Sequence, residues 1–259
     1  MKNEFHISPS QRHDLRGFPT PHIAVDVALM TIDPRGAHPR LCVLLHRRGP
    51  GHVEGMWALP GRFVRERQTL EETAEQALKL KLGIRGTQVQ QLHVFDDPDR
   101  DPRGWVMSVA HTGTIDWDNC VEYTHHLRDV IAAPIRDHEL DIPDGQSRLP
   151  YEQREIVRYA VREIRRQYAL LPDPGHFLPD QFTLLQLREV HQAVQDDEIQ
   201  ADTFRREMKP NLIPTGEYST GGVGKPAELY RRKDRSSSTV PSLSRSTRNR
   251  RRTSAEDAL

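Results

Sequence analysis

The first ordered pattern along the chain is HIAVDVALMTI, where Ile23, Val25, Val27 and Leu29 alternate with other residues. A period of two predicts a half-buried β-strand. The turn sequence Asp33-Pro34-Arg35-Gly36 follows, and LCVLLHRR (Leu41 to Arg48) predicts a second strand. Gly49-Pro50-Gly51 and Pro60-Gly61 bracket a loop that holds Met56, Trp57 and Leu59. From Thr69 to Leu82 the period becomes helical, with Leu70, Ala74, Ala77 and Leu78 on one stripe. Thr69 and Glu72 have capping-box spacing, and Gly83 stands where a left-handed stop belongs. QLHVF and WVMSVAHT (Trp105 to Thr112) predict more strands around the turn-rich Asp96 to Gly104. Asp116 to Pro150 is irregular, with at most a short strand near Val130 and Ile131. Tyr151 to Leu170 predicts a long helix with Ile156, Ala160 and Ile164 on one face.

These elements define a mixed α+β domain over residues 21–170, preceded by a flexible arm at 1–20. Pro172, Pro174, Gly175 and Pro179 mark a linker at 171–180. A different pattern occupies 181–234. Thr183 and Gln186 form a second capping box, and Phe182 and Leu187 sit where a hydrophobic staple places them. Leu184, Leu187, Val190 and Val194 supply a buried face. A second helix is expected with Asp202 as N-cap, ending before Pro210. Its apolar residues, Phe204 and Met208, lie four apart; Thr203, Arg205, Arg206 and Lys209 occupy the remaining surface. Leu212 to Gly216 and Ala227 to Arg232 predict a hairpin around a loop with Gly221, Gly222, Gly224 and Lys225. Residues 235–259 are rich in Ser and Arg and are expected to be a disordered basic tail.

Composition alters this picture in one respect. The 259 residues carry 37 basic and 37 acidic side chains, a net charge of zero that argues against a nucleic-acid partner. The charge is divided unevenly: from Gln200 onward 13 basic residues face 7 acidic ones, so the rest of the chain is acidic. The basic end thus keeps nucleic acid in view. No apolar run approaches the roughly 18 residues of a membrane span. With only two cysteines, Cys42 and Cys120, and no secretory layout at the N-terminus, a cytoplasmic location is expected.

The stretch LPGRFVRERQTLEETAEQALKLKLGI (Leu59 to Ile84) resembles the signature of the Nudix hydrolases. In that family helix glutamates hold Mg²⁺ against a nucleoside diphosphate, since hard cations need converging oxygen ligands. Aligned on Leu59-Pro60-Gly61 and Gly83, the opening Gly position is Arg62 and the first Glu position is Gln68. The signature Arg is Gln76, and the metal-binding Glu positions are Ala77, Leu80 and Lys81. The scaffold cues remain and the carboxylates are gone, so no catalytic residue, metal or cofactor is expected. DPDRDPRGWVMSVAHTG (Asp97 to Gly113) is similar to the segment after the box in ADP-ribose-type Nudix proteins. Arg47, Arg62, Arg65, Arg100 and Arg103, with Arg48 beside them, are candidates for binding an anionic nucleotide, because a guanidinium pairs with phosphate without a metal. Surface ion pairing with the acidic half is the alternative role for each.

The order helix, basic helix, glycine hairpin, basic strand reads as a winged helix-turn-helix, whose second helix needs polar and basic side chains for the major groove. Thr203, Arg205, Arg206 and Lys209 are the expected groove residues, with Lys225, Arg231 and Arg232 on phosphates. Through FLPDQFTLLQLREVHQAV, DTFRREM and PTGEYSTGGVGKPAELYRR, about Pro21 to Lys233 resembles the Nudix-related, NrtR-like transcriptional regulators of NAD-metabolism genes. The resemblance implies a Nudix-like α/β/α sandwich followed by a winged helix. It also implies a homodimer on double-stranded DNA, a repressor responding to ADP-ribose or a related nucleotide. Glu71 and Glu75, spaced to share a cation, leave open a Mg²⁺-dependent ADP-ribose or nucleoside-diphosphate pyrophosphatase. An RNA- or protein-binding adaptor is a third reading.

Overall fold

The computed structural model describes residues 18–137, 139–142, 146, 148–220 and 226–233. Eleven strands and five α-helices lie among them. The central sheet is built on β1 (His22–Asp33), which pairs antiparallel with β2 (Arg40–Arg47) and parallel with β6 (Val106–Thr114). β5 (Val89–Phe95) adds to the β6 edge, and β7 (Val130–Arg136) with β8 (Glu139–Leu140) to the β2 edge. The bracketed loop after β2 forms two short strands, β3 (Trp57–Ala58) on β2 and β4 (Gly61–Phe63) on β1.

The expected half-buried first strand is buried on both faces. Val25, Val27 and Leu29 meet α1 (Leu70–Leu82) and Cys120 of α2 (Trp117–Thr124). Ala28, Met30 and Ile32 meet Ile156, Ala160 and Ile164 of α3 (Gln153–Tyr168) on the other side. Helices on both faces make the α/β/α sandwich, and the polar positions of β1 are few because no face of it meets water. α1 has its capping box, with Glu72 N–H to Thr69 Oγ1 at 3.1 Å and Thr69 N–H to Glu72 Oε2 at 2.9 Å. Gly83 ends it at φ 73°. α2 was not expected, since Cys120 is its one buried residue and a single apolar contact leaves almost no period to read.

α4 (Leu184–Gln195) has the expected capping box on Thr183 and Gln186. α5 (Ala201–Met208) begins two residues earlier than expected: Gln200 is the N-cap, and Asp202 lies in the first turn, where its charge suits the helix dipole. β9 (Phe182–Thr183), β10 (Leu212–Tyr218) and β11 (Glu228–Arg232) form a small sheet in the order β10-β11-β9. Phe182, Leu187, Phe204, Leu212 and Tyr230 close its own core. The residues expected as a linker are packed. Asp173 and Phe177 are buried, and α4 sends Val190 and Val194 into the sandwich core while Leu187 faces the winged core. Arg165 Nε–H donates to the Val194 carbonyl at 2.8 Å, which clasps α4 to α3.

Candidate functional site

A cleft of about 630 Å³ opens where β4, the end of α1 and the start of α3 meet. Gly61 admits β4 against β1: a Cβ there would lie 2.9 Å from the Val25 carbonyl oxygen and collide with the Asp26 carboxylate. At two substituted signature positions, Arg62 Nη1 donates to Gln76 Oε1, tying the loop to the helix. Leu80 and Lys81 line the cleft where the family's metal-binding glutamates would stand, and Ala77 is buried in the core. Glu71 and Glu75 do not line it, and Glu72 is held in the α1 cap. Among the described residues no three His, Cys, Asp or Glu side chains group so as to hold a metal. The residues present do not fit Mg²⁺.

They fit an anion. Arg48, Arg62, Arg65, Lys81, Arg100 and Arg103 line the cleft against two carboxylates, Asp26 and Asp101. Both carboxylates are already engaged. Asp26 accepts from Ser108 Oγ at 2.6 Å and Gln153 Nε2 at 2.7 Å. Asp101 accepts from Arg103 Nε and Nη2 at 2.9 and 2.7 Å, and this bonding holds its carboxyl below the usual range. Arg100, with a side chain only 2% exposed, donates Nε–H to Glu152 Oε2 at 3.0 Å. Its Nη2 lies 3.9 Å from Asp26 Oδ2, an ion-pair distance, and like Arg48 Nε is buried without a hydrogen bond among the described residues. Buried guanidinium nitrogens left without a hydrogen bond are costly, and a phosphate oxygen would satisfy them. Aromatic rings share the site: Arg48 and Arg103 lie over the Tyr151 ring at 5.4 and 5.0 Å, and His52 stacks on it at 5.8 Å. Burial pushes the His46 pKa down to about 4, so this cleft imidazole is neutral. Its Nδ1 donates to the Arg47 carbonyl at 3.0 Å.

The structure therefore gathers five of the six candidate arginines, Arg48 among them, in one cleft. Arg47 lies outside, over the Trp57 ring at 4.8 Å, because the next residue along the strand end is the one that turns inward. Lys81, His46 and Tyr151 join the site without having been singled out for it. Lys81 carried a sequence signal as the cation at a metal position; Tyr151 carried none, for it reaches the cleft only through packing of α3.

The second surface is α5. Asp202, Arg205, Arg206 and Lys209 recur at i, i+3, i+4 and i+7 and share one exposed face, while Phe204 anchors the other. Neither Arg205 nor Arg206 forms an ion pair with a described residue. Thr203 is half-buried at the flank, its Oγ1 donating to Gln200 Oε1 at 3.2 Å. Lys209 leans toward the wing, 3.9 Å from Glu228 and 5.7 Å from the Tyr230 ring centroid. On β11, Arg231 is exposed, but Arg232, expected on phosphates, is turned inward. It donates Nε–H to Asp173 Oδ2 at 3.2 Å and Nη1–H to the Pro179 carbonyl at 3.2 Å. Strand alternation puts these neighbouring arginines on opposite faces. Lys225 lies outside the described residues.

A Nudix-type sandwich joined to a winged helix is the class that these two units define. Residues 174–232 match the model of the NrtR DNA-binding winged helix domain. Over 220 residues the chain is 25% identical to the ADPR responsive transcriptional repressor NtrR of Acinetobacter baylyi, covering 83% of each. The crystal structure of Shewanella oneidensis NrtR complexed with a 27mer DNA has a TM-score of 0.68 at 29% identity, covering 82% of this chain and 93% of that one. A 68-residue stretch is 39% identical to the ADP-ribose pyrophosphatase of Methanocaldococcus jannaschii, covering 26% of this chain and 40% of the relative. Over its C-terminal part the chain matches the NrtR winged helix domain, and over most of its length it is similar to NrtR-like, Nudix-related regulators.

Proposed function

We propose that this chain is a DNA-binding transcriptional repressor whose Nudix-type domain binds ADP-ribose as effector without hydrolysing it. The observation that carries the reading is the cleft itself: cations, with buried guanidinium nitrogens that lack hydrogen bonds, occupy the ground where the family's metal carboxylates stand. A dianionic diphosphate suits that charge, and the Tyr151 ring offers a flat face to a base or ribose. The DNA-bound Shewanella relative and the ADPR-responsive Acinetobacter repressor support the two partners. Arg205 and Arg206 read the major groove, with Asp202 placed to accept from a cytosine amino group. Lys209, Arg231 and Lys225 take phosphates, and two copies of the chain engage a two-fold operator. Effector chemistry ties the regulated genes to NAD metabolism.

The pyrophosphatase relative names the competing activity. Hydrolysis would need oxygen ligands at the cleft, and the two free α1 glutamates, Glu71 and Glu75, do not line it. The test is selection of duplex DNA from a random pool with and without ADP-ribose, alongside an assay for AMP release from ADP-ribose with Mg²⁺. A selected site whose retention falls when ADP-ribose is added, with no AMP formed, is the expected result. AMP release that disappears in Glu71→Gln or Glu75→Gln would establish the hydrolase instead.

A further inference from the structure

α3 begins at the ligand cleft and ends beneath the DNA-reading elements. In its first turn Gln153, 1% exposed, donates Nε2–H to Asp26 at 2.7 Å and accepts the Leu59 N–H at 2.9 Å. Glu152, just before it, accepts from the cleft's Arg100. Sixteen residues at a rise of about 1.5 Å make the helix about 24 Å long. Ile156, Val157, Ala160, Val161 and Ile164 pack it on the sheet along its length.

Its last residue, Tyr168, is fully buried. The hydroxyl donates to Asp173 Oδ1. Asp173 also accepts the N–H groups of Phe177 and Leu178 at 3.2 and 3.1 Å, and Arg232 of β11. Residues 172–178 wrap so tightly that a Cβ on Gly175 would lie 3.1 Å from the Tyr168 hydroxyl and 3.0 Å from the Phe177 ring. The Tyr168 ring meets His191 of α4 edge-on at 4.9 Å, and His191 meets Phe204 of α5 at 4.9 Å. His191 Nε2–H donates to the Pro172 carbonyl. One tyrosine thus reaches the wing strand through Asp173 and Arg232, and the groove-facing helix through His191 and Phe204.

We propose that α3 is the rod that couples the effector cleft to the DNA-binding surface, and that Tyr168 with Asp173 is its output joint. An anion that takes Arg100 Nη2, which has no hydrogen bond and only a 3.9 Å ion pair with Asp26, alters the Arg100–Glu152 contact at the start of the rod. A packed helix transmits a shift by moving as a body. At the far end that shift moves α5 and β11 relative to each other, because both are anchored on the same side chain. Tyr168, Asp173 and Arg232 are positioning residues: none of them is offered as a contact to DNA or to the nucleotide. The proposal rests on ADP-ribose being the effector.

The experiment measures, on the full chain, affinity for a selected duplex with and without saturating ADP-ribose, and affinity for ADP-ribose with and without the duplex. Linkage requires the two ratios to agree, at about 5- to 150-fold for a typical coupling. Tyr168→Phe removes one donor and keeps the ring; Asp173→Asn keeps the shape and removes the charge. Each should bring the ratio to within about twofold of unity, with either ligand alone bound within about threefold of the parent. A parent-like ratio in both variants would overturn the proposal. If the variants fail to fold, amide hydrogen exchange on the parent decides. ADP-ribose should alter protection at residues 168–178, in α5 and in β11; changes confined to the cleft, with duplex affinity still shifted, would overturn it. A parent that binds the duplex but is indifferent to ADP-ribose refutes the effector reading, and the coupling with it.

Discussion

Arg231 and Arg232 are adjacent, identical in chemistry and both expected on phosphates, yet they should fail in opposite ways when truncated. Asp173 has a fully buried side chain, and Arg232 is 15% exposed while donating to it and to the backbone at Pro179. Arg232→Ala leaves a buried carboxylate with only the Tyr168 hydroxyl and two N–H groups, and exposes the Phe182 ring that the guanidinium covers at 5.2 Å. Breaking a buried pair by removing one partner costs about 3–5 kcal/mol. For a domain pair of this size that lowers Tm by about 6–20 °C. Arg231→Ala removes an exposed side chain and should change stability by less than about 0.5 kcal/mol. It should instead weaken binding to every duplex and lower the salt slope by about one. Urea denaturation followed by circular dichroism, together with fluorescence anisotropy on a labelled duplex at several salt concentrations, separates the two. If Arg232→Ala melts like the parent while losing duplex affinity, the inward placement of Arg232 is wrong, and so is the joint built on it.

Arg205→Ala with Arg206→Ala should reduce operator affinity by about 30-fold or more, at about 1–3 kcal/mol per base-reading arginine, with melting unchanged; an unchanged gel shift refutes the reading face. Lys81→Glu reverses a charge at the cleft and should weaken ADP-ribose binding about tenfold by calorimetry. Tighter binding would show that the cleft favours a cation. Acidification should destabilise the chain through His46. Its folded pKa of about 4 lies below the ordinary 6.5, so the unfolded state takes up the proton first. Stability is full above 6.5 and falls by about 3 kcal/mol as pH drops toward 4. His111 and His191, also lowered by burial, act in the same direction. His46→Gln should flatten the curve measured by urea denaturation; a parent whose stability is level from about pH 7 to about pH 5 refutes the burial argument.

What the sequence determined by itself is local. The two capping boxes, the Gly83 stop, the hairpin strands and the substitution of Ala77, Leu80 and Lys81 at metal positions need only neighbours within a few residues, so spacing suffices to read them. The basic face of α5 is of the same kind, since i, i+3, i+4 and i+7 always share a side of a helix. Tertiary structure alone decided that β1 is covered on both faces, because nothing in one strand states how many layers enclose it. It decided that Arg48 and not Arg47 enters the cleft, and that Arg232 faces Asp173 while Arg231 faces solvent, because a side chain's direction depends on which partner covers the strand. It also turned a run of prolines read as a linker into a hydrogen-bonded junction between the two units. Proline and glycine there signal a change of chain direction, and only the carboxylate that the turn buries, 59 residues from the arginine that meets it, shows that the junction is held closed.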